Sequence, residues 1–196
     1  ADASSDFFDA SMADWLVSMA SGLKGEQADV DAIRSFALLA AVKIMKPDQM
    51  DAVAKLYNTD AQGVDAQGKQ IKTTVGKAFE KEYNQATELL KACTTDVGCY
   101  HGKLVDDKSQ TKETQFTGIK AAYMIGILGG EADRAKLVES LPKISNPAVR
   151  QAALKALQAL APKGDKAAAD KLDDYLAKAE EAKDDAKVQE YGVFTQ

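Results

Sequence analysis

The chain has 196 residues, 45% of them apolar and 28% charged, which suffices for one well-buried core or two small ones. The net charge is −5, with acids and bases alternating rather than clustering. That argues against nucleic acid as the main ligand, because such binding depends on Lys and Arg massed against phosphate.

Strand-like runs of alternating β-branched and aromatic residues are absent, and prolines number only four, so an all-helical chain is expected. A first helix over 5–22 carries Phe8, Trp15, Leu16 and Met19 on one face, with Ser4 or Ser5 as its cap. Phe7, Phe8 and Trp15 form the densest aromatic group, for which core packing is the expectation and an exposed partner anchor the alternative. The next helix, over 27–46, holds Val30, Ile33, Ala37, Ala40, Val42 and Ile44, and ends at Pro47, which cannot continue a helix interior. Its stretch Phe36-Ala37-Leu38-Leu39-Ala40-Ala41-Val42 is the longest apolar run, far short of the roughly 18–20 residues a membrane-spanning helix needs. Pro47 is well placed to open a helix over 48–57, with Met50, Val53, Ala54 and Tyr57 inward.

Asp60-Ala61-Gln62-Gly63-Val64 followed by Asp65-Ala66-Gln67-Gly68-Lys69 is a polar five-residue tandem, which reads as a mobile loop. Ile71, Val75, Phe79, Tyr83, Ala86 and Leu90 then recur every three or four residues and predict a long helix over 69–92. A short helix over 96–105 and a polar connection over 106–114 follow. Four helices are expected over 115–129, 131–141, 146–161 and 165–182, with Gly129-Gly130 and Pro162-Lys163-Gly164 as turns. One more short helix fits within 184–196.

Two of these helices are copies. Residues 118–127 align on 148–157 at an offset of 30: Ile119 falls on Val149, Lys120 on Arg150, Ala122 on Ala152, Met124 on Leu154 and Ile127 on Leu157. Past five extra residues the offset becomes 35, placing Lys136 on Lys171, Leu137 on Leu172 and Leu141 on Leu176. Self-similarity at a fixed period is the signature of a repeat architecture. Asn146 is a good N-cap, Pro147 suits the first helical position, and Val149, Ala153, Leu157 and Leu160 form one stripe.

The pattern Pro147-x-Val149-Arg150-x-x-Ala153-x-x-Ala156-Leu157 resembles the first helix of a HEAT-type repeat, and the likeness covers about 115–182. The upstream copy departs from it, with Thr117 in place of the proline and with Gly118 and Gly126 weakening the helix. The resemblance implies an α-α superhelix, or solenoid, of antiparallel helix pairs, in which the basic residue bonds to the neighbouring repeat. The expected organisation is a single helical domain: an irregular helical N-terminal cap over 1–95, HEAT-like pairs over 96–183, and a C-terminal tail over 184–196. In such arrays the second helix of each pair lines the concave partner-binding face. Carried onto 131–141 and 165–182, that makes Lys136, Glu139, Lys171 and Asp174 the candidate partner contacts.

Cys93 and Cys99 are the only cysteines, six positions apart, and a disulfide between them is expected over two free buried thiols. The Ala1-Asp2-Ala3-Ser4-Ser5 start resembles what remains after a signal peptide is cut. Both features point to an exported, periplasmic or extracellular protein.

Reactive constellations are weak. His101 is the single histidine, two residues from Cys99, and residues two apart on a helix do not face each other. One histidine and two cysteines also leave a zinc site short of ligands. Residues 58–69 imitate a calcium loop at Asn58, Asp60, Gln62 and Gly63, then fail at Asp65 and at Lys69, where a bidentate Glu is required. Gly126 to Gly130 lacks the lysine and spacing of a phosphate loop. The acid pairs Asp106-Asp107, Asp173-Asp174, Glu180-Glu181 and Asp184-Asp185 read as solvated faces rather than as carboxylates opposed across a cleft. The expectation is therefore a non-enzymatic interaction module or scaffold that binds another protein, with no cofactor and no metal. The alternative is a helical small-ligand carrier or enzyme with a pocket between the N-terminal helices and the repeat pair.

Overall fold

The computed structural model describes residues 8–161 and 165–194. Among them are ten α-helices and one two-stranded antiparallel sheet, so the chain is mostly helical. Backbone contacts divide it into two compact units, within Ala1–Thr95 and within Asp96–Gln196.

The first unit holds α1 (Ser11–Gly22), α2 (Gln27–Ile44), a 3-10 turn (Pro47–Gln49) and α3 (Met50–Tyr57). Leu16, Ala20, Leu38, Ala41, Ile44 and Val53 are fully buried where these helices pack. The first helix begins later than the sequence suggests, at Ser11, whose backbone N–H donates to Asp9 Oδ1 at 2.9 Å. Ser4, Ser5 and Phe7 lie outside the described residues. Trp15 is 53% exposed and Ile33 46% exposed, so neither belongs to the core expected for them. Each sits on the outer side of a stripe whose neighbours, Leu16 and Ala37, already fill the interface. Pro47 opens the turn into α3, as its missing N–H allows. Gln49, buried there, donates to the Ala10 carbonyl and to Asp14 Oδ2, each at 2.8 Å, and accepts from Lys46 N at 2.9 Å.

The expected loop over 60–69 and the first part of the expected 69–92 helix are instead a β-hairpin. Strand β1 (Asp60–Val64) pairs antiparallel with β2 (Gln70–Thr74), register Asp60 to Thr74 through Val64 to Gln70. A 3-10 turn (Val75–Phe79) follows, and only then α4 (Glu80–Cys93). The physical reasons lie in side chains that helical spacing ignores. Asp65 Oδ1 accepts from the N–H groups of Gln67 at 3.0 Å and Lys69 at 2.8 Å, and Gly68 adopts φ +78°, closing a turn. The β-branched run Ile71, Thr73, Thr74, Val75 favours extended backbone. Asp31, buried on α2, holds the hairpin from outside: its Oδ2 accepts from Gln62 N at 2.9 Å and its Oδ1 from Gln27 Nε2 at 2.8 Å. At Gly76 the backbone lies so close to Tyr57 that an added Cβ would sit 2.0 Å from the ring. Tyr57 itself stacks on Tyr83 of α4, with ring centroids 4.3 Å apart.

The second unit contains α5 (Val97–Leu104), a 3-10 turn (Asp107–Ser109), α6 (Gln115–Leu128), α7 (Glu131–Ser140), a 3-10 turn (Leu141–Lys143), α8 (Pro147–Leu160), α9 (Lys166–Glu181) and α10 (Asp185–Phe194). Asn146 caps α8 as its sequence position suggests: its Oδ1 accepts from Ala148 N at 2.9 Å and Val149 N at 3.2 Å. The expected turn at Pro162-Lys163-Gly164 lies outside the described residues. Helix α6 runs along α8, and α5 packs on α6. Helix α7 touches α5, α8 and α9, while α10 packs on α9 and α8. Gly118 explains how the long helices approach so closely. A Cβ there would meet both γ-carbons of Val149 at 2.9 Å and the Ser109 carbonyl at 2.8 Å. The residue that weakens α6 as a helix is the one that lets it seat on α8.

Candidate functional site

The face formed by α7 and α9 carries the residues singled out above. Lys136, Glu139, Lys171 and Asp174 are all exposed. The structure brings two of them together across the helix pair: Lys171 Nζ donates to Glu139 Oε1 at 3.3 Å. Asp174 instead pairs along its own helix with Lys178 at 3.5 Å, and Lys136 stands on α7 one turn from Glu139. Half-exposed pairs of this kind are worth about 0–1 kcal/mol, so they cost little to exchange for a partner's charges. The stronger tie lies at the foot of the face. Arg134 of α7 donates from Nε to Asp165 Oδ2 at 2.6 Å, with both side chains mostly buried. Asp165 also caps α9 by accepting from Ala168 N at 3.2 Å, so one carboxylate fixes the start of α9 and its distance from α7. A shallow cleft of about 100 Å³ lies between the two helices, floored by Ala135, Val138 and Ala168.

Behind this face the aligned basic residues Lys120 and Arg150 are both in the interior, at 0% and 2% exposure. Burial holds the Lys120 ammonium well below its ordinary range. Arg150 forms a bidentate pair with Glu190 of α10, Nε to Oε2 at 2.5 Å and Nη2 to Oε1 at 3.2 Å, and its Nη1 donates to the Ile144 carbonyl at 2.6 Å. Nothing in the sequence singles out Glu190, which lies forty positions from its partner. Gln110 forms a second buried junction. Its Oε1 accepts from Ser145 N at 2.6 Å, Ser145 Oγ at 3.0 Å and Asn146 N at 3.2 Å, and its carbonyl accepts from Asn146 Nδ2 at 2.9 Å. The connection that reads as merely polar therefore anchors the start of α8.

His101 faces Asp133 of α7, with Nε2 3.2 Å from Oδ1, while the other oxygen of Asp133 accepts from Gly130 N at 2.9 Å. Burial lowers the imidazole's pKa, the Asp133 carboxylate works against that, and Lys136 adds to it. The neighbouring Cys99 offers no thiol, because both cysteines are disulfide-bonded. Burial pushes the Tyr100 phenol up to about 12, far from a proton-transfer role at neutral pH. Among the described residues no group of three or more His, Cys, Asp or Glu side chains is placed to hold a metal ion. No described helix is long and apolar enough to cross a membrane.

No protein-family model, no curated protein and no solved structure matches this chain.

Proposed function

We propose that the second unit is a HEAT-like interaction module and that the α7–α9 face binds another protein. One observation supports the reading: α6 packs on α8 and α7 touches α9, so the helices that align in sequence are neighbours, as stacked copies would be. Charges of both signs on that face, Lys136, Glu139, Lys171 and Asp174, suit a partner surface of mixed charge, which gives specificity and a salt-dependent on-rate. The disulfide supports an exported protein, since such bonds persist in oxidising compartments.

A photo-crosslinking residue introduced at position 136 or 171 of the full chain tests this against the envelope fraction of the source organism. A discrete cross-linked protein at both positions, lost when Lys136→Glu and Lys171→Glu are combined and weakened by salt, is expected. Adducts unaffected by charge reversal and by salt would remove the α7–α9 face from the proposal.

A further inference from the structure

The hairpin of the first unit has one covered edge and one bare edge. Asp65 N donates to the Lys69 carbonyl and Val75 N to the Thr59 carbonyl, each at 2.9 Å, so the ladder is bonded at both ends. Bonded and unbonded pairs alternate in an antiparallel ladder. In this register Gly63–Ile71 and Ala61–Thr73 are therefore bonded pairs, while Gln62–Lys72 and Val64–Gln70 turn their backbone groups outward. On β1 the outward N–H of Gln62 donates to Asp31 of α2 at 2.9 Å. On β2 the outward N–H and C=O groups of Gln70 and Lys72 bond to no other group among the described residues, and both residues are exposed. They stand about 7 Å apart along the strand, the interval at which an added strand makes its bonds.

The charge of this edge selects what can be added to it. From Lys69 to Thr74 the chain carries two cations and no acid. Among the described residues neither Lys69 nor Lys72 forms an ion pair. The nearest acids of the hairpin do not neutralise them: Asp60 is diagonal to Lys72 across the ladder, and Asp65 Oδ1 holds the turn through backbone N–H groups. Lys72 shares its side of the hairpin with Val64, which is 68% exposed, and Ile71, 43% exposed, lies on the other side. An added strand sets one side chain directly opposite Lys72 and the side chains flanking it beside Ile71 and Thr73. A carboxylate opposite Lys72 is attracted, and a second cation is repelled. Lysine on an edge is a usual guard against pairing between copies, and here the guard discriminates by charge. The β2 strand of a second copy would bring two more lysines into the same ribbon, whether Lys72 or Gln70 stands opposite Lys72. An acidic strand meets no such barrier.

We propose that the β2 edge docks an extended protein segment in which an acidic residue is flanked by apolar or β-branched ones. Main-chain bonds at Gln70 and Lys72 hold the segment, the Lys72 ammonium selects its carboxylate, and Ile71 covers a flanking side chain. The edge belongs to the first unit and the α7–α9 face to the second, so the two proposals are tested separately.

The test is an NMR titration of the full, disulfide-bonded chain with the blocked peptide acetyl-Thr-Glu-Val-Glu-Thr-amide. Two matched probes accompany it: the peptide with both glutamates replaced by lysine, and the acidic peptide N-methylated at both glutamates. The acidic peptide is expected to bind saturably, with Kd on the order of 1 mM for so short a segment. Its shifts should centre on the Gln70 and Lys72 amides, whose hydrogen exchange should slow. The basic peptide should bind about fivefold more weakly, and Lys72→Glu should reverse that order. The N-methylated peptide keeps its charge but loses its strand bonds, so it should not bind saturably. Lys72 is exposed, so an unchanged spectrum elsewhere in the variant separates lost affinity from lost fold. No saturable shift at Gln70 and Lys72, equal affinity for the two charges, or full binding of the N-methylated peptide would each overturn the assignment. A concentration-dependent dimer in sedimentation that protects the same two amides would give the edge to a second copy instead.

Discussion

Removing Glu190 tests how α10 is held. Arg150 is 2% exposed and spends two of its donors on the Glu190 carboxylate and one on the Ile144 carbonyl. The change Glu190→Ala removes two charge-assisted bonds, each worth about 1.5–3 kcal/mol, and leaves a guanidinium in the interior. Two effects reduce that sum. The Ile144 contact survives, and the Glu190 side chain is 18% exposed, so water reaches the vacated position. The net cost expected is about 2–4 kcal/mol. Arg150→Met should cost less, about 1–2 kcal/mol, because an orphaned Glu190 can turn toward solvent while an orphaned Arg150 cannot. Combining Arg150→Met with Glu190→Ala should cost clearly less than the two single changes summed, since removing both charges leaves neither buried alone. Urea unfolding followed by far-UV circular dichroism at pH 7 measures all three, with the slope unchanged if only stability moves. The coupling energy of the cycle should exceed about 1.5 kcal/mol. Glu190→Ala within about 0.5 kcal/mol of the wild type, or a strictly additive double variant, would show that the pair does not fasten α10.

Other outcomes are equally definite. The His101 pKa is depressed on folding, so the neutral ring is the folded form: the stability it confers is complete above about pH 6.5 and is lost as pH falls from there toward the folded value, and His101→Gln should flatten the pH dependence of urea midpoints over that window. Gly76→Ala sets a methyl 2.0 Å from the Tyr57 ring and should cost at least about 1–3 kcal/mol, visible as a lower thermal midpoint and a changed near-UV spectrum from the Tyr57–Tyr83 stack. Reducing the Cys93–Cys99 bond should cost roughly 2–3 kcal/mol by freeing the short loop 94–98 in the unfolded chain, and alkylation should add two labels only after reduction, as intact mass will show.

The helical half of the fold was readable where local chemistry and packing agree. Asn146 and Pro147 announce the start of α8 and are used as announced, and Lys120 and Arg150, aligned thirty positions apart, both end in the interior. The hairpin was hidden because Ile71, Val75 and Phe79 happen to recur at the helical interval. Its true determinants are a turn built by Asp65 and Gly68 and a distant carboxylate, Asp31, which periodicity does not register. Trp15 was misplaced for a related reason: a face drawn from spacing includes every apolar residue on it, whereas the contact needs only Leu16 and the small alanines. Of the candidate contacts, spacing correctly marks exposed positions on α7 and α9, but it cannot show that Glu139 and Lys171 engage each other while Asp174 turns to Lys178. The reversal at Lys183 was equally hidden, a positive φ at a residue that ordinarily avoids one.

Side-by-side packing of α7 and α9 is what makes a single face out of two helices, and cross-linking tests it most directly. In the chain carrying Glu139→Cys and Lys171→Cys, the native cysteines are occupied, and a short bis-maleimide should add once per molecule as an intramolecular bridge. Moving the second cysteine to position 180, about 13 Å further along α9, should yield two separate adducts instead. Two separate adducts from the 139–171 pair, with no bridged product, would contradict the paired-helix face itself.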